Sequence, residues 1–153
     1  MNITEVLSEN HILVKIRAGS KEDVLNKMID TLGDSPLVKD LEAVRRVVFE
    51  REKIMSTGIG KGFALPHGKS NAVDATMAVL ATLEDPIDFD SLDNIPVNIV
   101  FLLVGQEQSV GVHLRLLSKI SRLMNNDSFR GQLLQAASEA EVLRLFAERD
   151  GDI

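Results

Sequence analysis

Apolar positions along the chain follow two different periods. Ile12-Leu-Val-Lys-Ile16 is short and rich in β-branched residues, closes at Arg17-Ala-Gly19, and predicts a strand. Ser20-Lys-Glu-Asp23 reads as a helix start, with a capping hydroxyl followed by acids in the first turn. Val24, Leu25, Met28, Ile29 and Leu32 then recur at helical spacing until Gly33 ends the run. After the turn Asp34-Ser-Pro36, a second helix is expected from about Lys39 to Lys53. Leu41, Val44, Val47 and Val48 form its buried stripe, and Glu42, Arg45, Arg46, Glu50 and Glu52 its wet face. Phe63-Ala-Leu65, Thr76 to Leu83 and Val97 to Val104 read as further strands, the second turned by Glu84-Asp-Pro86. Pro66 pushes Leu65 towards extended geometry, so the strand is expected to end there and to place His67 just beyond it.

The last third is helical in pattern. Leu114, Leu117, Ile120, Leu123 and Met124 form one stripe, while Leu133 with Leu134 and Val142 with Leu145 and Phe146 mark two more helices. Ser138-Glu-Ala-Glu141 has the spacing of a capping box, and Gly151-Asp-Ile153 is expected to fray. The order β-α-α-β-β-β-α-α-α implies an α/β chain with a central mixed sheet and helices packed on its faces. No repeat or long linker interrupts it, and 153 residues suit one domain covering 1–153.

Charge and composition narrow the function. Seventeen basic against 23 acidic residues leave a net charge of −6, and Trp and Tyr are absent. Nucleic acid is therefore a poor partner, since backbone affinity depends on Lys and Arg and base stacking on aromatics. The absence of Cys removes disulfides, thiolate catalysis, iron–sulfur clusters and Cys-type zinc sites, and it suits a reducing cytoplasm. No signal-peptide pattern opens the chain, and the longest apolar run, Ile99 to Val104, is far short of the ~20 residues that span a bilayer. No direct membrane insertion is expected.

Candidate chemistry concentrates between residues 51 and 69. Ser56-Thr-Gly-Ile-Gly-Lys-Gly62 has the mixture of glycine and hydroxyl residues from which backbone phosphate cradles are made, and equally the glycines of a turn that lets backbones pack closely. It matches neither standard nucleotide motif: Gly62 follows Lys61 where a P-loop has Ser or Thr, and Phe63 stands where a dinucleotide fingerprint needs glycine. His67, between Pro66 and Gly68, offers a neutral imidazole nitrogen as a nucleophile, or is a plain turn histidine. Arg51 and Lys69 are cations able to hold a phosphoryl group, and Ser56 and Thr57 supply hydroxyls. His113 shares a helix face with Leu117, Ile120 and Met124, which fits a site residue or a satisfied core histidine. His11 has no polar neighbour in sequence and reads as structural. The three histidines lack metal-ligand spacing, so neither a metal nor a cofactor is expected.

The string Arg51-Glu-Lys-Ile-Met-Ser-Thr-Gly-Ile-Gly-Lys-Gly-Phe-Ala-Leu-Pro-His-Gly-Lys69 resembles the enzyme IIA domains of the bacterial phosphoenolpyruvate-dependent phosphotransferase system, fructose/mannitol type, which includes the nitrogen-regulatory IIA proteins. Asp88-Phe-Asp-Ser-Leu-Asp-Asn-Ile-Pro-Val97 and His113-Leu-x-x-Leu117 follow in the family's order. The resemblance implies that His67 is the phosphorylated histidine, loaded by the phosphocarrier protein HPr or its nitrogen-branch counterpart. It implies that His113 is the second histidine beside it and Arg51 the arginine that neutralises phosphate. Ser56, Thr57, Gly68 and Lys69 take supporting places around the phosphoryl group. The implied fold is a mixed five-stranded sheet flanked by helices.

Two departures from the family pattern are Phe63, where a smaller aliphatic is usual, and Gly105, where proline is frequent and whose absence would loosen the loop to His113. Ser56-Thr-Gly-Ile-Gly and Pro66-His-Gly-Lys69 look more like the nitrogen-regulatory branch. Such a protein acts by phosphorylation-dependent binding of a regulated target; a sugar-specific IIA would pass phosphate to a separate IIB. A third reading is an interaction module that binds without phosphate. Partners are expected to dock on an apolar surface near Phe63 or Leu65.

Overall fold

The computed structural model describes residues 1–150. In chain order these form α1 (Ile3–Val6), β1 (Ile12–Ile16), α2 (Lys21–Thr31), α3 (Leu41–Ile54), β2 (Gly58–Gly60), β3 (Phe63–Ala64), β4 (His67–Lys69), β5 (Met77–Ile87), β6 (Val97–Gly105), α4 (Val110–Met124), α5 (Asp127–Gln135) and α6 (Glu139–Arg149). The expected fraying of 151–153 lies outside the described residues. The helix starts fall where their caps are: Ser20, Asp40, Asn126 and Ser138 each accept from a backbone N–H three residues on. Glu141 reaches back to the N–H of Ala137, one residue before the cap, at 2.9 Å.

The sheet is mixed, as expected, but has six strands rather than five. Its order is β1-β5-β6-β3-β2, with β4 also on β6. β1 runs parallel to β5, β6 is antiparallel to β5, and β3 and β4 both run parallel to β6. Two strands were not expected, β2 in the glycine-rich stretch and β4 after Pro66. β2 pairs antiparallel with β3, and the turn between them is made by Gly60, Lys61 and Gly62, all with positive φ (117°, 59° and 82°).

β3 and β4 are one interrupted strand along β6, flanked by β2 at β3. Phe63 lies opposite Ile99 and His67 opposite Leu103, four residues apart on both strands, so the register survives the interruption at Leu65-Pro66. Leu65 donates its N–H backwards to the Thr57 carbonyl at 2.9 Å, and Pro66 has none to donate. His67 therefore opens β4 instead of lying beyond a strand end. β5 likewise outruns expectation: it passes Glu84, Asp85 and Pro86 to Ile87 through a register shift, which is where a sheet tolerates proline.

Alternation along β6 divides the core. Ile99, Phe101 and Leu103 pack with α1, α4, α5 and α6, whereas Val100, Leu102 and Val104 face α2 and α3. Helices thus cover both faces. Two side chains depart from the helical patterns. Leu114 is 60% exposed, while His113, Leu116, Ile120, Leu123 and Met124 form the buried face of α4. Glu52, expected in water, is buried. Phe63 is buried in the α4-side core.

α3 lies close against β4 because Gly68 has no side chain. A Cβ there would meet Val47 Cγ2 at 3.0 Å and backbone atoms of Val47 and Val48 at 3.4 Å. Gly68→Val should therefore push the helix from the strand and cost about 1–3 kcal/mol, read as a lower urea midpoint with an unchanged slope.

Candidate functional site

β4 and the start of α4 bring His67 and His113 together. Their ring centroids are 5.7 Å apart, tilted by 55°. His67 is partly exposed; His113 is buried. Strand pairing sets the approach, because His67 sits on β4 beside Leu103 while His113 hangs from α4 over Gly105, the last residue of β6.

The ring of His67 is oriented by its own strand. Nδ1 lies 2.8 Å from the Leu65 carbonyl, and since a carbonyl only accepts, Nδ1 carries the proton and Nε2 the lone pair. The His67 pKa is lowered, first by burial; the Leu65 bond opposes this, and the positive charges of Arg51 and Lys69 lower it further against the raising effect of Glu52. A neutral imidazole with one free nitrogen results at pH 7.

His113 is held more severely. Burial, then the charges of His67 and Lys69, bring its pKa down to about 4. Its Nδ1 is buried without a hydrogen-bond partner and faces Gly105, where a Cβ would approach it to 2.7 Å. The loosened loop expected from glycine at 105 is not what forms. Gly105 pairs with Lys69, and its carbonyl accepts from the Ser70 N–H at 2.9 Å. Glycine at 105 is also what makes room for the His113 imidazole.

Arg51 is partly exposed near the end of α3; it donates to the Met55 carbonyl at 2.8 Å, and its charge is felt at His67. Lys69 is exposed at the end of β4 and acts electrostatically on both rings. Gly68 contributes the close helix packing already described. The hydroxyls of Ser56 and Thr57 have other partners. Ser56 Oγ donates to the Phe89 carbonyl at 2.6 Å and accepts from the Gly58 N–H, while Thr57 donates both its hydroxyl and its N–H to Glu52.

Glu52 was missed in the sequence. Its carboxylate, 5% exposed, meets Lys21 Nζ at 2.7 Å, and Lys21 also lies over the Phe89 ring at 4.9 Å. This cluster ties the starts of α2 and of the glycine stretch to the end of α3. A signal existed: Val44, Val48 and Glu52 lie four apart on one helix face. His11 remains structural in position but has polar partners, Ser8 at 3.2 Å and Asp34 at 3.3 Å.

Phe63 and Leu65 are buried and offer nothing to a partner. Exposed apolar groups close to the site in sequence are Ile54 and Met55, after Arg51, and Leu114, after His113. Among the described residues no group of three or more His, Cys, Asp or Glu is placed to hold a metal ion, and no helix is long and apolar enough to cross a membrane.

Comparison with known proteins gives a consistent neighbourhood. Residues 5–149 match the family model "Phosphoenolpyruvate-dependent sugar phosphotransferase system, EIIA 2". The chain is 34% identical over 150 residues to the fructose-specific EIIABC component of Bacillus subtilis, covering 98% of this chain but only 24% of that protein. It is 32% identical to a nitrogen regulatory protein of Bradyrhizobium diazoefficiens, covering 94% of this chain and 92% of the relative. The crystal structure of nitrogen regulatory protein IIA-Ntr from Neisseria meningitidis superposes with a TM-score of 0.87 at 32% identity, over 94% of this chain and 98% of that one. Enzyme IIAMTL of Escherichia coli, solved in complex with phosphorylated enzyme IIBMTL, shares the fold (TM-score 0.80, 20% identity, 94% and 100% covered).

Two measurements probe this arrangement. Glu52→Gln leaves Lys21 buried without its nearest counter-charge and should cost about 3 kcal/mol, with the double variant Lys21→Met/Glu52→Gln losing less than the sum of the singles in urea unfolding. His113, with its folded pKa of about 4 below an unfolded value near 6.5, binds fewer protons folded than unfolded. It should contribute on the order of 3 kcal/mol above pH 6.5 that is lost as pH falls towards 4. His113→Gln should flatten that part of the stability profile, and NMR titration should find His113 protonating near pH 4.

Proposed function

Because the chain belongs to the EIIA 2 family of the phosphoenolpyruvate-dependent sugar phosphotransferase system, and is a phosphocarrier component of it, we propose that it takes a phosphoryl group onto Nε2 of His67 from an HPr-like phosphocarrier protein. The observation that carries this is the committed tautomer of His67, Nδ1–H on Leu65 with the second imidazole 5.7 Å away.

The transfer balances without metal or nucleotide. The lone pair of His67 Nε2 attacks phosphorus in line, a P–N bond forms, and the donor's P–N bond breaks with its electrons returning to the donor imidazole. Nδ1–H stays on the Leu65 carbonyl throughout and stabilises the positive charge that develops on the His67 ring. Because Nδ1 of His113 is the buried, unpartnered nitrogen, its proton belongs on Nε2, from which it donates to an equatorial phosphoryl oxygen. Arg51 and Lys69 supply positive charge, with Arg51 leaving the Met55 carbonyl for the more strongly accepting phosphoryl oxygens. The backbone of Gly68 and the Ser56–Thr57 segment act as support, holding β4 and the glycine turn in place.

The loaded protein then meets a second partner, and we read that partner as a regulated target. Similarity to the Bradyrhizobium and Neisseria nitrogen regulatory proteins extends over nearly the full length of both. The sugar-specific alternative, handing phosphate to a separate IIB, is favoured by the likeness to the fructose-specific component. Either role belongs in the cytoplasm, with residues 1–153 acting as one domain. Docking uses the exposed Ile54 and Met55, which follow Arg51, and Leu114, which follows His113.

Incubation with phosphoenolpyruvate and the donor relay should place one acid-labile phosphate per chain, absent from His67→Ala; label retained by that variant would refute the assignment. His113→Ala should accept phosphate about 10²–10³-fold more slowly. Since the His67 pKa is lowered, acceptance should stay level from pH 8 to below the ordinary histidine midpoint near 6.5 and fall only in more acid solution. Subsequent transfer of the label to purified IIB proteins, or its failure with all of them, separates the sugar-specific role from the regulatory one.

A further inference from the structure

Helix α4 has a second face, turned away from His113. Between Gln108 and Asn126 the chain contains no Asp or Glu, and its formal charges are Arg115, Lys119 and Arg122. Steps of four and three residues set these in one row about 10 Å long, on the side of the helix away from His113 and flanking the buried Leu116 and Leu123. Among the described residues none of the three pairs with a carboxylate. Lys119 Nζ reaches only the side-chain oxygen of Asn2, at 3.5 Å, and Arg115 folds over Gly111. The acids that flank the helix in sequence are occupied, Glu107 by Asn71 and Asp127 by Arg130.

A row of like charges at this spacing destabilises an isolated helix, and it stands on a chain of net charge −6. Beside it runs a groove of about 300 Å³ whose apolar wall is Val112, Leu116 and Met1. We propose that this face docks an acidic amphipathic helix of a partner protein. Carboxylates at i, i+4 and i+7 match the cation row in spacing and sign, and one apolar side chain of the partner enters the groove. A nucleic acid fits less well: three cations are few for a phosphate backbone, and no aromatic on the face stacks a base. The row and the histidine pair occupy different sides of α4, so the proposal stands apart from phosphoryl transfer.

The test uses the full chain and a fluorescein-labelled peptide of about 16 residues, long enough to hold a helix, with Glu at i, i+4 and i+7 flanking one Leu. Fluorescence anisotropy should show saturable binding that weakens as salt rises past the physiological range. Arg115→Glu/Lys119→Glu/Arg122→Glu should bind roughly tenfold more weakly, the corresponding Gln variant should fall between, and Arg17→Glu, after β1 and outside the α4 row, should bind as the parent does. Circular dichroism confirms that the variants are folded, and their acceptance of phosphate should be unchanged. Absence of saturable binding, equal binding by the folded triple Glu variant, or tighter binding of a single-stranded oligothymidylate than of the peptide would each overturn the proposal.

Discussion

The hydrogen bond from His67 Nδ1 to the Leu65 carbonyl is the contact on which the site depends. It exists because Leu65 faces away from β6. The ladder takes the Pro66 carbonyl, which accepts from the Leu103 N–H at 3.0 Å, so alternation turns the Leu65 carbonyl to the other side, where it accepts from a side chain two residues on. The register with β6 resumes at once, so the break displaces neither His67 nor Gly68. The off-ladder carbonyl thereby gives the imidazole a fixed tautomer while leaving it on a rigid sheet.

What surrounds that bond is arranged so that positive charge gathers near a ring that stays neutral. Burial and the nearby cations work in the same direction on both histidines. The negative counterweight, Glu52, is kept below the surface and occupied by Lys21 and Thr57. A carboxylate free to swing into the site would compete with any incoming anion for Arg51 and Lys69. Enclosing it in an ion pair makes it a brace for the glycine turn instead.

Much of this was legible in the chain, and the misses have physical causes. β6 was plain because both its faces are buried, which writes a continuous apolar run. The caps at Ser20 and Ser138 were plain because a hydroxyl before a helix has one principal use. β2 was not, since a strand of Gly58, Ile59 and Gly60 pairs through backbone alone and carries no alternating pattern. β4 was missed because a proline ahead of it signals an ending, whereas here it only interrupts. Glu52 was misplaced because its charge outweighed its position in the Val44–Val48 row, and only the distant Lys21 could have reversed that reading. For His67 and His113 the residues alone left two readings each; the resemblance supplied the pairing, and the fold brings the two rings side by side.

Gly105 has a further consequence for how such a site is explored. Its contribution is empty space beside His113 Nδ1. Surveys that delete side chains one at a time are blind to a position whose role is to have none. The residue would come to light only through insertional substitutions, where even one added methyl would evict the second imidazole and silence a pair of histidines that had themselves been left untouched.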